Sequence, residues 1–127
     1  GVKPQTILIV DDEADIAEML AEILTSAGHR IDMAASGNEA LRRLSARDYD
    51  VILSDLKMPD LDGPGLYQRL RESHPHLIDR VIFISGDTFR RRAAEFLAQT
   101  GRPLLEKPFI PNDVIQAVNQ VLNQGPS

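Results

Sequence analysis

The sequence predicts an α/β fold, a parallel sheet with helices covering both faces. Short apolar runs rich in β-branched residues alternate five times with segments whose apolar residues recur at helical spacing. The connections between them are short, two to about eight residues, so each helix must return across a face of the sheet. Four of the strands also end in polar residues, and ligands of such sheets bind at the carboxyl ends of the strands.

Taken in order, Thr6–Val10 reads as the first strand and ends in Asp11-Asp12. From Asp12 on, Ile16, Met19, Leu20, Ile23, Leu24 and Ala27 keep helical spacing for about four turns, and Gly28 stands where a left-handed terminator belongs. Arg30–Ala34 reads as a weaker second strand. Ser36-Gly37-Asn38-Glu39 matches a capping box, opening a helix through Ala40, Leu41 and Leu44. The third strand, Val51-Ile52-Leu53, is buried on both faces and runs out at Ser54-Asp55. Pro59 to Pro64 forms a turn-rich loop feeding a helix with Leu66 and Leu70, which His74-Pro75 ends.

The fourth strand, Val81–Ile84, stops at Ser85. Gly86-Asp87 then leads into a helix with Phe89, Ala93, Phe96 and Leu97 on one side, Asp87 reading as its N-cap and Thr100-Gly101 as its close. Arg102–Glu106 reads as the fifth strand, followed by Lys107. Pro111 opens the last helix, which carries Val114, Ile115, Val118, Val121 and Leu122. Residues 1–5 and 124–127 read as flexible ends, leaving one domain over residues 6–123.

Composition narrows the function classes. At 127 residues and 43% hydrophobic, the chain has enough material for one sizeable core. Fourteen basic against 19 acidic residues give a net charge of -5, which is no footprint for nucleic acid or an anionic membrane surface. Cysteine is absent, so disulfides and thiolate metal sites are excluded, in keeping with a reducing cytoplasm. No apolar run approaches the roughly 18 residues of a membrane span, and no signal peptide is visible. The expectation is a cytoplasmic domain without membrane contact.

A carboxylate at the mouth of a buried strand costs free energy unless it is paired, hydrogen-bonded or metal-bound. If the first and third strands flank the reversal of winding, Asp11, Asp12 and Asp55 meet there and raise one another's pKa unless a cation joins them. Oxygen ligands without Cys or His favour Mg²⁺ or Mn²⁺, commonly with phosphate oxygens completing the shell. In phosphoryl chemistry an Asp can be the nucleophile while a Lys and a hydroxyl hold the transferred oxygens. Asp55, Lys107 and Ser85 fit those roles.

These residues carry a resemblance to the receiver domain of two-component response regulators. The matching pieces are Asp11-Asp12, Asp55 with Met58-Pro59 and Asp62-Gly63 behind it, Ser85-Gly86, and Lys107-Pro108-Phe109, in order at successive strand ends between about Thr6 and Leu122. The resemblance implies a flavodoxin-like (βα)5 fold, a doubly wound five-stranded sheet of order 2-1-3-4-5. It implies that Asp55 is the phosphoacceptor, Asp12 a direct ligand of Mg²⁺, Asp11 an acid acting through water, and the backbone carbonyl of Lys57 the other protein ligand. Ser85 and Lys107 would contact the phosphoryl group, with a cis bond between Lys107 and Pro108. The implied phosphodonor is a sensor histidine kinase or a histidine phosphotransfer protein. The stretches 85–88 and 105–109 also resemble receivers fused to sensor histidine kinases.

The chain departs from the family pattern at Leu104, where an aromatic often stands three residues before the lysine. Output through an aromatic rotamer, and with it strong dimerisation, is therefore not expected. Lys57 and Asp87, each two residues after a site residue, are expected to border the water path to an aspartyl phosphate and to slow its hydrolysis.

Two other classes share parts of this pattern. A haloacid-dehalogenase-like phosphatase also uses an Asp nucleophile, Mg²⁺ and Lys, but wants a second Asp where this chain has Lys57. A flavodoxin-type carrier needs a phosphate loop after the first strand, where Asp11-Asp12-Glu13 would repel a phosphate. His74 and His76 read as exposed residues of a helix-terminating loop, His29 as another loop residue, and Arg90-Arg91-Arg92 as a solvated helix face. Phe89, Phe96 and Phe109 read as core residues.

Overall fold

The strands assemble in the order β2-β1-β3-β4-β5, all parallel. The computed structural model describes residues 5–123, the side chains of residues 87–92 excepted. The flexible ends expected from the sequence, Gln5 apart, lie outside those residues, as do the side chains of Asp87, Phe89 and Arg90 to Arg92. The elements are β1 (Thr6–Val10), α1 (Ala14–Ser26), β2 (Arg30–Ala34), α2 (Gly37–Ala46), β3 (Val51–Asp55), α3 (Gly63–Ser73), β4 (Val81–Ser85), α4 (Asp87–Thr100), β5 (Leu104–Glu106) and α5 (Pro111–Asn123).

Alternation along the strands divides the core in two. Ile7, Ile9, Val51, Leu53, Ile82 and Ile84 pack with Leu20 and Leu24 of α1 and Val114, Val118 and Val121 of α5. Leu8, Val10, Ile52, Val81 and Phe83 face the other way, with Leu44 of α2, Leu66 and Leu70 of α3 and Ala93 of α4. The first and last helices thus cover one face and the middle three the other. The winding reverses between β1 and β3, which places the expected ligand crevice at their carboxyl ends. Each large side chain fully buried here is worth about 1.5–3 kcal/mol.

Local signals in the sequence account for most boundaries. Gly28 has φ 97° and closes α1 as a Schellman turn, its N–H donating to Thr25 O and that of His29 to Leu24 O. Gly101 closes α4 at φ 67°. The capping box of α2 is half formed: Ser36 Oγ accepts from Glu39 N–H at 3.1 Å, but Glu39 Oε1 accepts from Ala35 N–H, one residue earlier than the motif requires.

Four expectations need correction. Gly86, not Asp87, occupies the cap position of α4, and Asp87 is its first helical residue. β5 starts at Leu104 rather than Arg102, because the Arg102 N–H turns back to Thr100 Oγ1 while Pro103 has no N–H to offer a ladder. The loop after α3 contains a 3-10 helix, Pro75–Arg80, anchored by buried Leu77; His76 is exposed there and His74 half-buried. His29 is 6% exposed rather than a surface loop residue, and its Nδ1 accepts from Gln5 N–H at 3.3 Å. Phe96 and Phe109 are half-buried and pack against the two cores.

Candidate functional site

Three buried strands end in polar side chains at one edge of the sheet. Val10 lies level with Ser54, so Asp11 emerges beside Asp55, and Asp55 lies level with Ile84, so Ser85 emerges on its other flank. Asp11, Asp55 and Ser85 are almost completely buried, whereas Asp12 is exposed. Asp55 is the last residue of β3 itself, held by the sheet. The crevice is a cavity of about 510 Å³ lined by Asp12, Glu13, Asp55, Lys57, Met58, Pro59, Gly86 and Lys107.

Carboxylate oxygens of Asp11, Asp12 and Asp55 lie within 4.8 Å of one another. Asp11 Oδ1 accepts from Glu13 N–H at 2.9 Å, and Asp55 Oδ1 accepts from Lys57 N–H at 3.1 Å. Asp11 Oδ2 is buried and meets no hydrogen-bond partner. Burial, reinforced by the Asp55 charge, pushes Asp11 up to about 7 against the opposing Glu13 amide. Burial likewise raises Asp55, although the Lys57 amide and the Lys107 charge resist it. An orphaned buried oxygen and two carboxyls driven up from their usual range fit a hard cation, and all the donors are oxygens. The acidic cluster can bind a metal ion.

Lys107 reaches the crevice from the end of β5. Its Nζ donates to Glu13 Oε1 at 2.9 Å and lies 3.5 Å from Asp55 Oδ2. Burial pulls the ammonium down, but the Glu13 hydrogen bond and the Asp55 and Asp11 charges outweigh it and raise its pKa. The Lys107–Pro108 bond is cis. Ser85 reaches the same edge, and its hydroxyl donates to Gly86 O at 2.8 Å. Leu104 is half-buried against the core beneath α2, α3 and α4. Among the described residues, the structure therefore brings together Asp11, Asp12, Asp55, Lys57 and Lys107, with Ser85 at the same edge of the sheet. The Asp87 carboxylate expected opposite Lys57 is outside the described side chains.

Sequence reasoning missed Glu13 as the partner of Lys107; its place directly after the acidic pair was the available signal. It also missed Asp60, which accepts from the Gly37 and Asn38 amides. Gly63 is required by a close approach, since a Cβ there would come within 2.9 Å of the Asp55 carbonyl oxygen and of Leu56 Cα.

The family model for the response regulator receiver domain matches residues 7–119. The chain is 33% identical over 121 residues to the sensor kinase CckA of Brucella abortus, covering 94% of this chain and 13% of that protein. It is 33% identical over 115 residues to the DNA-binding transcriptional regulator NtrC of Klebsiella pneumoniae, covering 91% of this chain and 24% of that one. The chain thus spans a quarter or less of the length of both relatives. A crystal structure of a response regulator receiver domain protein from Clostridium thermocellum superposes with TM-score 0.84 at 28% identity, over 94% of this chain and 95% of that one. These findings give no support to the haloacid-dehalogenase-like phosphatase. Among the described residues, no helix is long and apolar enough to cross a membrane. The chain belongs to the response regulator receiver domain family, the phosphoacceptor modules of two-component signalling.

Proposed function

We propose that Asp55 is the phosphoacceptor, taking a phosphoryl group from a phosphohistidine on a sensor histidine kinase or a histidine phosphotransfer protein. The observation that carries this reading is the meeting of Asp11, Asp12 and Asp55 oxygens within 4.8 Å, with Lys107 Nζ 3.5 Å from Asp55, in one open crevice. An Asp55 oxygen forms the new P–O bond as the P–N bond to the donor imidazole breaks, and the imidazole leaves with its electron pair. Asp12, Asp55 and the Lys57 backbone carbonyl would hold Mg²⁺, with Mn²⁺ able to replace it, and Asp11 would act through water. The bound ion would neutralise charge on the transferred oxygens. Lys107 supplies a second positive charge to them, and the Ser85 hydroxyl, once turned from Gly86 O, donates to a third site.

In this reading the domain, residues 6–123, promotes its own phosphorylation in the cytoplasm and passes the signal to an effector or onward to a histidine. The likeness to a sensor kinase supports a receiver attached to a histidine kinase. Exposed Lys57 at the cavity rim supports slow hydrolysis of the aspartyl phosphate, which Lys57→Ala would accelerate, and Leu104 supports weak dimerisation on phosphorylation. The main test is incorporation of acid-labile phosphate from phosphoramidate with and without Mg²⁺. The parent should label only with the metal and Asp55→Asn not at all; normal labelling of Asp55→Asn overturns the assignment.

A further inference from the structure

The loop between β3 and α3, residues 56–62, carries the Lys57 backbone and two more of the residues that line the crevice, Met58 and Pro59. Leu56 ties its start to the sheet and, with Met58, is buried in the core. Its ends are fastened by Leu56 N–H to Ile84 O and by Gly63 N–H to Leu56 O, and Asp62 caps α3 through Gly65 N–H. Its middle is fastened elsewhere. The Asp60 carboxylate accepts from Gly37 N–H at 3.3 Å and from Asn38 N–H at 3.0 Å, two of the amides that the first turn of α2 leaves without a helical partner.

The fit around this contact is close. The Asn38 amide above all, with those of Leu61 and Gly37, draws the exposed Asp60 down to about 2, so the carboxylate is charged throughout the physiological range. A Cβ on Gly37 would collide with the Leu61 carbonyl oxygen and come within 2.7 Å of Leu61 Cβ, so the start of α2 lies directly on the loop. That same start is tied to the acidic pair, because Asp11 N–H donates to Ala34 O at 3.0 Å, three residues before α2 begins. The acids at the end of β1 are thus tied to the end of β2, three residues before the helix that holds the loop after β3.

We infer that Asp60 is a positioning residue for the metal site, pinning the β3–α3 loop to α2 so that the Lys57 backbone stays at the crevice; this rests on the metal-dependent function proposed above. Outer partners that fix a metal's ligands typically contribute 10- to 100-fold in affinity, and the contact sits three residues from the proposed ligand. Ser36 provides the contrasting case, since its hydroxyl caps the same helix through the Glu39 N–H of the helix itself.

The test is calorimetric titration of the intact chain with Mg²⁺, together with hydrogen exchange of the Lys57 amide in metal-free protein. Asp60→Ala should weaken Mg²⁺ binding roughly tenfold and speed Lys57 exchange, Asp60→Asn should recover part of both, and Ser36→Ala should leave both at the parent value. If Asp60→Ala binds Mg²⁺ as the parent does, the positioning role is overturned while the metal site stands. If Ser36→Ala weakens binding by the same factor, the effect is one of α2 stability and the role is again overturned. A parent that binds no Mg²⁺ overturns the metal site and this role together.

Discussion

Lys107 Nζ lies closer to Glu13, at 2.9 Å, than to Asp55, at 3.5 Å. The lysine that would meet a phosphoryl group is therefore shared with a carboxylate that takes no part in the metal cluster. Glu13 is more than half exposed, so the pair is worth at most about 1 kcal/mol. Glu13→Gln should lower stability by no more than about 1 kcal/mol and speed phosphorylation by up to about fivefold, since that energy no longer holds Lys107 back. Stopped-flow labelling with phosphoramidate measures this; slower labelling would show that Glu13 aids the lysine.

Lys107→Ala separates charge on the phosphoryl group from charge on the ion. The ammonium lies beside Asp55 but cannot be a metal ligand, so Mg²⁺ affinity should hold or rise as a competing cation is removed. Phosphorylation should fall by about two orders of magnitude, the usual cost of a lost electrostatic contact in a transition state. Titration calorimetry beside a labelling time course reads both quantities, and a collapse of Mg²⁺ affinity would contradict the division of roles.

Phe83 is fully buried, with the rings of Tyr67 at 6.1 Å and Phe96 at 5.3 Å between centroids. Phe83→Ala should cost about 3–5 kcal/mol, seen as a lower urea midpoint with little change in slope. A loss under about 1 kcal/mol would mean that this core collapses onto the vacated space.

The pH dependence follows from Asp11. Its folded pKa is raised to about 7 from an ordinary value of 3.8, so the metal-free folded state binds the extra proton between those values. The stability associated with it is fully present below about pH 4 and lost as pH rises through 7. His29 has the opposite sign, because burial lowers its pKa and stability falls as pH drops below its ordinary 6.5. Subtracting the Asp11→Asn profile from the parent profile removes the His29 contribution. The difference should show the parent losing a few kcal/mol between pH 4 and 8 without metal, and less with saturating Mg²⁺. A flat difference in urea titrations across that range would contradict the raised pKa.

Much of the site was legible in the sequence because strand ends carry it. Asp11 and Ser85 directly follow apolar runs and Asp55 follows one after Ser54, and a strand buried on both faces reads as such a run until it leaves the core. Contacts between residues far apart were not legible. Glu13 and Lys107 are 94 positions apart, and Asp60 meets Asn38 across 22. Each looks like an ordinary surface charge until the sheet order brings the loops together. His29 was misread for a similar reason: the turn that ends α1 folds it inward against the start of β1, which no local pattern encodes. The displaced N-cap of α4 and the shortened β5 are errors of one or two residues, the scale on which propensity alone ceases to discriminate.

The proposed role of Asp55 as phosphoacceptor is tested by locating the phosphate. The parent chain is treated with phosphoramidate and Mg²⁺, the acyl phosphate is trapped by borohydride reduction, and the peptides are mapped by mass spectrometry. A single reduced aspartate is expected, at Asp55, absent when Mg²⁺ is withheld. Reduction at Asp11 or Asp12 instead, or equal reduction of Asp55 without the metal, would contradict it.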